Sequence, residues 1–218
     1  YQFSQEQLVK SGINAVWGEF QIFDFTLNYP LENNESKTIN LEIALPPDTT
    51  YQQISYESLI PLPLNVNVDP DGNWLASYSL KAGEKISVVA KGQVKIFPNP
   101  RANFPSPAIG SLNQNLLPQK YWEVDNPKIS AKAQELKTVK NIYNFVVNTL
   151  NYDLNRVKET TTRQGALAAL ENPDAAICME FTDLFIALCR AAGIPAREIN
   201  GFAFTSKDIL LPLGLFAV

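Results

Sequence analysis

The 218 residues carry 18 basic and 22 acidic side chains, no histidine and a formal net charge of −4. No basic run or basic face is present, which argues against nucleic acid as a partner. A hydrophobic content of 45% with 18% charged residues describes a globular chain able to bury a core, as one large or two small domains.

From Ala15 the texture is β. Phe23, Phe25, Leu27 and Tyr29 alternate with Asp24, Thr26 and Asn28. Pro30 and the polar stretch Glu32–Ser36 predict a turn. Ile39, Leu41, Ile43 and Leu45 then alternate with Asn40, Glu42 and Ala44, and both runs read as half-buried strands. Residues 51–60 read as extended. Leu64, Val66 and Val68 form a further alternating run, and Trp74, Ala76, Tyr78 and Leu80 another. Between them Asp69–Asn73 predicts a hairpin turn with Gly72 at positive φ. A calcium loop is the rival for Asp69 and Asp71, but Gly72 falls fourth and Leu80 twelfth, where such a loop needs glycine sixth and a carboxylate twelfth. Lys85–Phe97 is the last strand. Short strands at regular spacing predict an antiparallel β-sandwich over residues 1–97. Residues 4–12 read as a short helix or a loose lead-in.

Residues 98–120 hold Pro98, Pro100, Pro105, Pro107 and Pro118 and read as a linker without an element of its own. From Tyr121 the texture is helical. Asp125 or Asn126 caps a helix over Pro127–Leu136, with Pro127 at its first position. A second helix covers Thr138–Leu150, with Val139, Ile142, Tyr143, Val146 and Leu150 on one face. Residues 151–162 read as polar loop and Arg163–Glu171 as a short Ala-rich helix. The fold class is therefore α+β, a sandwich followed by a helical unit over 121–218.

The stretch from Asp174 to Phe204 carries the chemistry. Met179–Ala192 lacks Gly and Pro, and Phe181, Leu184, Phe185, Leu188 and Ala192 share one helical face. Gly193 stops the helix and Pro195 prevents a restart. Arg197–Phe204 then reads as a strand. Cys178 falls at the helix's first turn, where unpaired amides and the positive end of the dipole stabilise a thiolate and can receive an oxyanion. The plain alternative is a small buried hydrophobe, the commonest use of a free cysteine and our reading of Cys189. Placed on one helix, the two sulfurs are about 16 Å apart, too far for a disulfide.

The run Cys178–Arg197 resembles the nucleophile helix of the transglutaminase-like superfamily. So do Gly201 with Phe202 on the next strand, Tyr152 with Asp153 upstream, Arg163–Ala166, and Ala169 with Leu170. The resemblance covers about residues 120–205. One position departs from it: many members have Gly two residues before the cysteine, and this chain has Ala176. The resemblance implies a papain-like domain and a Cys-His-Asp triad. In it Cys178 attacks an amide carbonyl, a histidine moves the proton and an aspartate orients the histidine. Tyr152 and Met179 are the candidates to line the site or contribute to an oxyanion site.

The family's histidine lies on the strand after the Gly-aromatic strand, and this chain has none. It reads as truncated before that residue, or as a member without the triad. The apolar ending Ile209–Val218 favours truncation. Glu180 and Asp183 favour the helix dipole but oppose a thiolate beside them, and Glu180 is expected to pair with an arginine. Arg190 and Arg197 are expected to fix the helix-to-strand corner. No phosphate loop, cofactor motif or metal cluster is legible, and protein or peptide is the expected substrate. A non-catalytic binding or structural module is the alternative, and hydrolysis, acyl transfer and deamidation stay open. The longest apolar runs fall well short of the ~18 residues of a membrane span. Since Tyr1 is not an initiator Met, a removed leader would place the protein outside the cell or at its surface; otherwise it is cytoplasmic. Oligomeric state is not legible.

Overall fold

Among the described residues, the first half of the chain forms seven strands. The structure, a computed structural model, describes residues 13–16, 20–104, 109–158, 161–203 and 211–217. The strands are β1 (Ile13–Val16), β2 (Phe20–Glu32), β3 (Ile39–Leu45), β4 (Gln52–Ile60), β5 (Asn65–Val68), β6 (Trp74–Leu80) and β7 (Lys85–Ile96). They form a four-stranded sheet ordered β1-β2-β7-β4 and a three-stranded sheet ordered β3-β6-β5, antiparallel throughout. Ile43, Tyr78 and Leu80 from one sheet and Leu27, Val88 and Ala90 from the other share one apolar core. The two sheets therefore pack face to face as a sandwich.

Three details differ from the sequence reading or explain it. β2 runs straight through Pro30, which lies opposite Ser87 of β7. Among the described residues β1 pairs only with Phe20–Phe23 and no strand pairs with β2 on that side at Pro30, where a missing N–H costs no ladder bond. The polar turn that follows is anchored by Asn33, fully buried, whose amide donates to the carbonyls of Lys37, Leu80 and Lys81 at 2.8–2.9 Å. Gly92 of β7 faces the bulge of β4 between Tyr56 and Ser58. A Cβ there would sit 2.3 Å from the Ser55 carbonyl oxygen and 2.9 Å from the Phe25 ring.

The Asp69 turn is self-contained. The Asp69 carboxylate accepts from the Asp71 and Asn73 amides at 2.9 and 2.8 Å, and Gly72 has φ +85°. The carboxylate is thus occupied by its own turn, as the turn reading requires.

The second half contains α1 (Ile109–Gln114), α2 (Pro127–Leu136), α3 (Val139–Thr149), α4 (Ala166–Glu171), α5 (Cys178–Ala191), β8 (Arg197–Ala203) and β9 (Leu211–Ala217). The chain divides into two compact units, Tyr1–Pro107 and Ala108–Val218. The segment 98–120, read as a linker with no element, carries α1, and its following residues belong to the helical unit. The Ala196 amide donates to the Asn115 carbonyl at 3.0 Å, and Arg190 donates to the Leu117 carbonyl at 2.6 Å. Residues 4–12 lie outside the described residues.

Asn126 caps α2 by accepting from the Lys128 amide, and Pro127 opens it. Thr138 caps α3. On α3, Ile142, Val146 and Leu150 are buried, but Tyr143, expected on the same face, is exposed. α4 begins at Ala166 and not at Arg163, because Gly165 has φ +95°, outside helical space. Glu123 supplies the missing cap, its carboxylate accepting from the Ala166 and Leu167 amides at 3.0 and 3.2 Å.

α5 is the centre of this unit. It packs against α2, α3, α4, β8 and β9, so Thr182–Arg190 are buried on every side and not on one face alone. Gly193 ends it with φ +77°, as a left-handed C-terminal residue. β8 and β9 pair antiparallel, Arg197 opposite Ala217. Within the apolar ending, Leu211–Ala217 supply this second strand.

Candidate functional site

Cys178 is the first residue of α5. Its neighbour Ile177 is extended and has no side-chain acceptor, so the helix start depends on groups from elsewhere. Glu180 supplies one: its carboxylate reaches back and accepts from the Ile177 amide at 3.0 Å. That is the acidic half of a capping box. The Cys178 thiol is half-buried, and Cys189 is fully buried.

The strand-like stretch after α3 brings Tyr152 to this point. The Asn151 amide donates to the Pro173 carbonyl at 2.9 Å and the Asp153 amide to the Ala176 carbonyl at 2.8 Å. Tyr152 and Ala176 therefore run parallel as an isolated bridge. The Tyr152 ring lies 6.2 Å from that of Phe181, one turn into α5. Partial burial and the neighbouring Cys178 charge raise the Tyr152 phenol above its ordinary value, while a hydrogen bond with the Cys178 backbone opposes the rise. The Tyr152 ring remains half exposed at 49%, so solvent reaches the group beside the sulfur. Met179, the next residue of α5, is half-buried.

Two buried carboxylates hold the surrounding loops. Glu180 accepts from Arg156 at 3.1 Å and from the Gln164 amide at 3.0 Å. Arg156 also donates to the carbonyls of Ala175 and Thr162. One guanidinium thus ties the polar loop 151–162 to both the turn before Cys178 and the helix start. Asp183, one turn further, accepts from the Trp122 indole at 2.8 Å and from Arg163 Nε at 2.9 Å. Arg163 Nη1 reaches Glu198 of β8 at 3.0 Å. Burial pushes the Asp183 carboxyl up, and the bonds from Arg163 and Trp122 oppose it; the bond to Asp183, with the charges of Asp183 and Glu198, holds the Arg163 guanidinium above its ordinary value.

The expected arginine partner of Glu180 is therefore Arg156, which sequence reading left inside an undifferentiated polar loop. Arg163 had been placed in a helix with no partner assigned, and Trp122 had no role. A buried acid at helix spacing is visible in sequence; the distant donor that must satisfy it is not. Arg190 does fix the helix-to-strand corner, donating to the carbonyls of Ala196 and Leu117 at 2.8 and 2.6 Å and stacking 4.3 Å over the Trp122 ring.

The sequence holds no histidine; among the described strands β9 follows β8, and its residues Leu211–Ala217 accordingly offer no imidazole. Among the described residues, no group of His, Cys, Asp and Glu could hold a metal ion, and no helix is long and apolar enough to cross a membrane.

Comparison with known proteins agrees with this arrangement. Residues 124–212 match the family described as the transglutaminase-like superfamily. Among solved structures, a candidate cysteine protease from Cytophaga hutchinsonii superposes with a TM-score of 0.61 at 19% identity, over 91% of this chain and 72% of that one. That likeness is one of fold. The periplasmic domain of TgpA from Pseudomonas aeruginosa is also similar, with a TM-score of 0.44 at 13% identity, over 85% of this chain and 66% of that one. No curated protein matches the sequence.

Proposed function

We propose that Cys178 is the nucleophile of a cysteine enzyme acting on amide bonds of proteins or peptides, a reading supported by the match of residues 124–212 to the transglutaminase-like superfamily. The observation that carries this reading is the sulfur's place: first residue of a buried helix, half-exposed, with a phenol beside it. In the proposed reaction the Cys178 sulfur attacks the amide carbonyl carbon, and the C–N bond breaks as the amine leaves with a proton. The acyl group stays on sulfur as a thioester. Water then releases an acid, or an amine takes the acyl group, and the thiol is restored. The helix-start amides and the Tyr152 phenol are the donors available to the carbonyl oxygen as it gains charge. Met179 contributes as part of that helix start.

Glu180 carries a negative charge two residues from the sulfur, and Arg156 compensates it. That pairing removes the objection that a carboxylate in the first turn would oppose a thiolate. The proton carrier is a separate matter. With no histidine in 218 residues, these residues alone are expected to turn over slowly. The sandwich, in this reading, is an accessory domain for substrate placement or surface attachment.

The test is alkylation of the 218-residue protein by iodoacetamide across pH, followed at each cysteine by mass spectrometry, with Cys189→Ala as background. Faster reaction at Cys178 than at a cysteine in an unstructured peptide supports the nucleophile. A rate at or below the peptide's counts against it. A second reading, a non-catalytic binding module on the same fold, draws on the absence of histidine from β9. Turnover of a peptide amide that is lost in Cys178→Ala would exclude it.

A further inference from the structure

We propose that β5 is a docking edge, and that its occupant is an extended polypeptide segment which adds to the three-stranded sheet as a further strand. β5 lies at the end of the order β3-β6-β5, and among the described residues no strand pairs with its outer edge. Such an edge offers a row of N–H and C=O groups to any chain that can run alongside it.

The side chains point the same way. Val66 lies opposite Ala76 and Val68 opposite Trp74, so both share the face on which Ala76 is fully buried. Yet Val66 is 44% and Val68 65% exposed, and Leu64 and Leu62 before them are 71% and 81% exposed. The core-facing row of the sheet thus continues onto β5, past the point where the opposite sheet covers it. On the other face Asn65 and Asn67 bond to each other, Nδ2 to Oδ1 at 2.9 Å. An incoming strand with apolar residues at alternate positions would bury them beside the valines and set its polar residues beside the asparagines.

Two other edges of the sandwich, those of β4 and β3, are guarded and this one is not. β4 has a bulge between Tyr56 and Ser58 and carries the exposed Glu57. β3 carries the exposed Glu42 at mid-strand. β5 reads Asn-Val-Asn-Val, with no charge, no proline and no register shift. Bulges and charges are the usual means of keeping strands away. A second copy fits less well than a peptide, because pairing through four residues buries far less than the ~1,200 Å² of a stable dimer.

The test titrates the 218-residue protein into a fluorescein-labelled peptide of about eight alternating Val and Thr residues with Lys at each end, read by fluorescence anisotropy. The expected result is saturable binding in the micromolar range, weakened at least about tenfold by Val66→Lys with Val68→Lys. Both positions are exposed, so the variant should keep its fold, checked by circular dichroism. Methylating alternate amide nitrogens of the peptide should weaken binding about tenfold as well, without touching the protein. The proposal is overturned by no saturation up to about 1 mM, or by equal binding of the methylated peptide. It is also overturned by a dimer in light scattering that the Lys variant abolishes, since the occupant would then be a second copy. Cys178 alkylation does not enter any of these outcomes, so the two readings fail separately.

Discussion

Cys178 and Cys189 share one helix, the first at its opening residue and the second near its end. Their surroundings are opposite. Cys178 opens α5 half-exposed, among helix-start amides, a phenol and a compensated ion pair. Cys189 lies fully buried near the other end, and burial pushes its thiol up to about 12. The comparison teaches that one helix can hold one sulfur within reach of solvent and another sealed in the core when its two ends meet different environments. The N-terminal end is held by Arg156 through carbonyls and a carboxylate. The C-terminal end is held by Arg190, through carbonyls and an aromatic face.

The largest expected effect breaks the comparison directly. At pH 8 in native buffer, Cys178 should alkylate at least about a hundredfold faster than Cys189, because Cys189 is sealed from the reagent and burial holds its thiol protonated. In urea above the unfolding midpoint the two rates should converge to within about threefold. Peptide mass spectrometry over a time course measures both.

Next come the three arginines that hold α5. Arg163→Ala leaves Asp183 buried without its cation and should cost about 3–5 kcal/mol, read from the urea midpoint and slope. Arg190→Ala should cost about 3 kcal/mol through its lost charged hydrogen bonds, while the Cys178 alkylation rate in the folded protein stays unchanged. Arg156→Gln should separate the ends in the other direction. It leaves the Glu180 charge uncompensated near the sulfur, so Cys178 alkylation should slow about threefold.

A smaller effect concerns pH. The Cys189 thiol is raised in the fold from 9.0 to about 12, so above pH 9 the unfolded chain releases a proton that the native state keeps. Its contribution to stability is full below pH 9 and is lost as pH climbs from 9 towards about 12. The half-buried Tyr29 and the buried Tyr78, both raised by burial, act in the same direction. The fall of the urea midpoint with pH should therefore be shallower in Cys189→Ala than in the parent. In the sandwich, Gly92→Ala should cost about 1–3 kcal/mol, since its Cβ would meet the Ser55 carbonyl. It should leave the reactivity of Cys178 untouched, because the change lies in the other compact unit. A thermal melt and the same alkylation assay decide both points.

Much of the fold is visible in local pattern. Alternation marks β2, β3, β6 and β7 because a half-buried strand repeats every two residues. The cap of α2 is legible because Asn126 and Pro127 act within one turn. The errors are equally physical. Tyr143 follows the apolar periodicity of α3 but lies at the margin of its buried stripe, which periodicity alone cannot bound. The start of α4 was misplaced because Ala-rich content outweighed Gly165, whose backbone conformation forbids an earlier start. Helix α1 was missed inside a proline-rich stretch because only six residues form it.

The sequence by itself determined that a helix would begin at Cys178, that Gly193 would end it, and that strands would precede it, since these depend on neighbours along the chain. Only the tertiary structure decided that Glu180 would face Arg156, that Asp183 would receive Trp122 and Arg163, and that Tyr152 would lie beside the sulfur. Those partners are separated from the helix by up to 61 residues. A buried charge requires a donor somewhere, but which donor arrives is set by how the loops pack, and that information belongs to no local window of the chain.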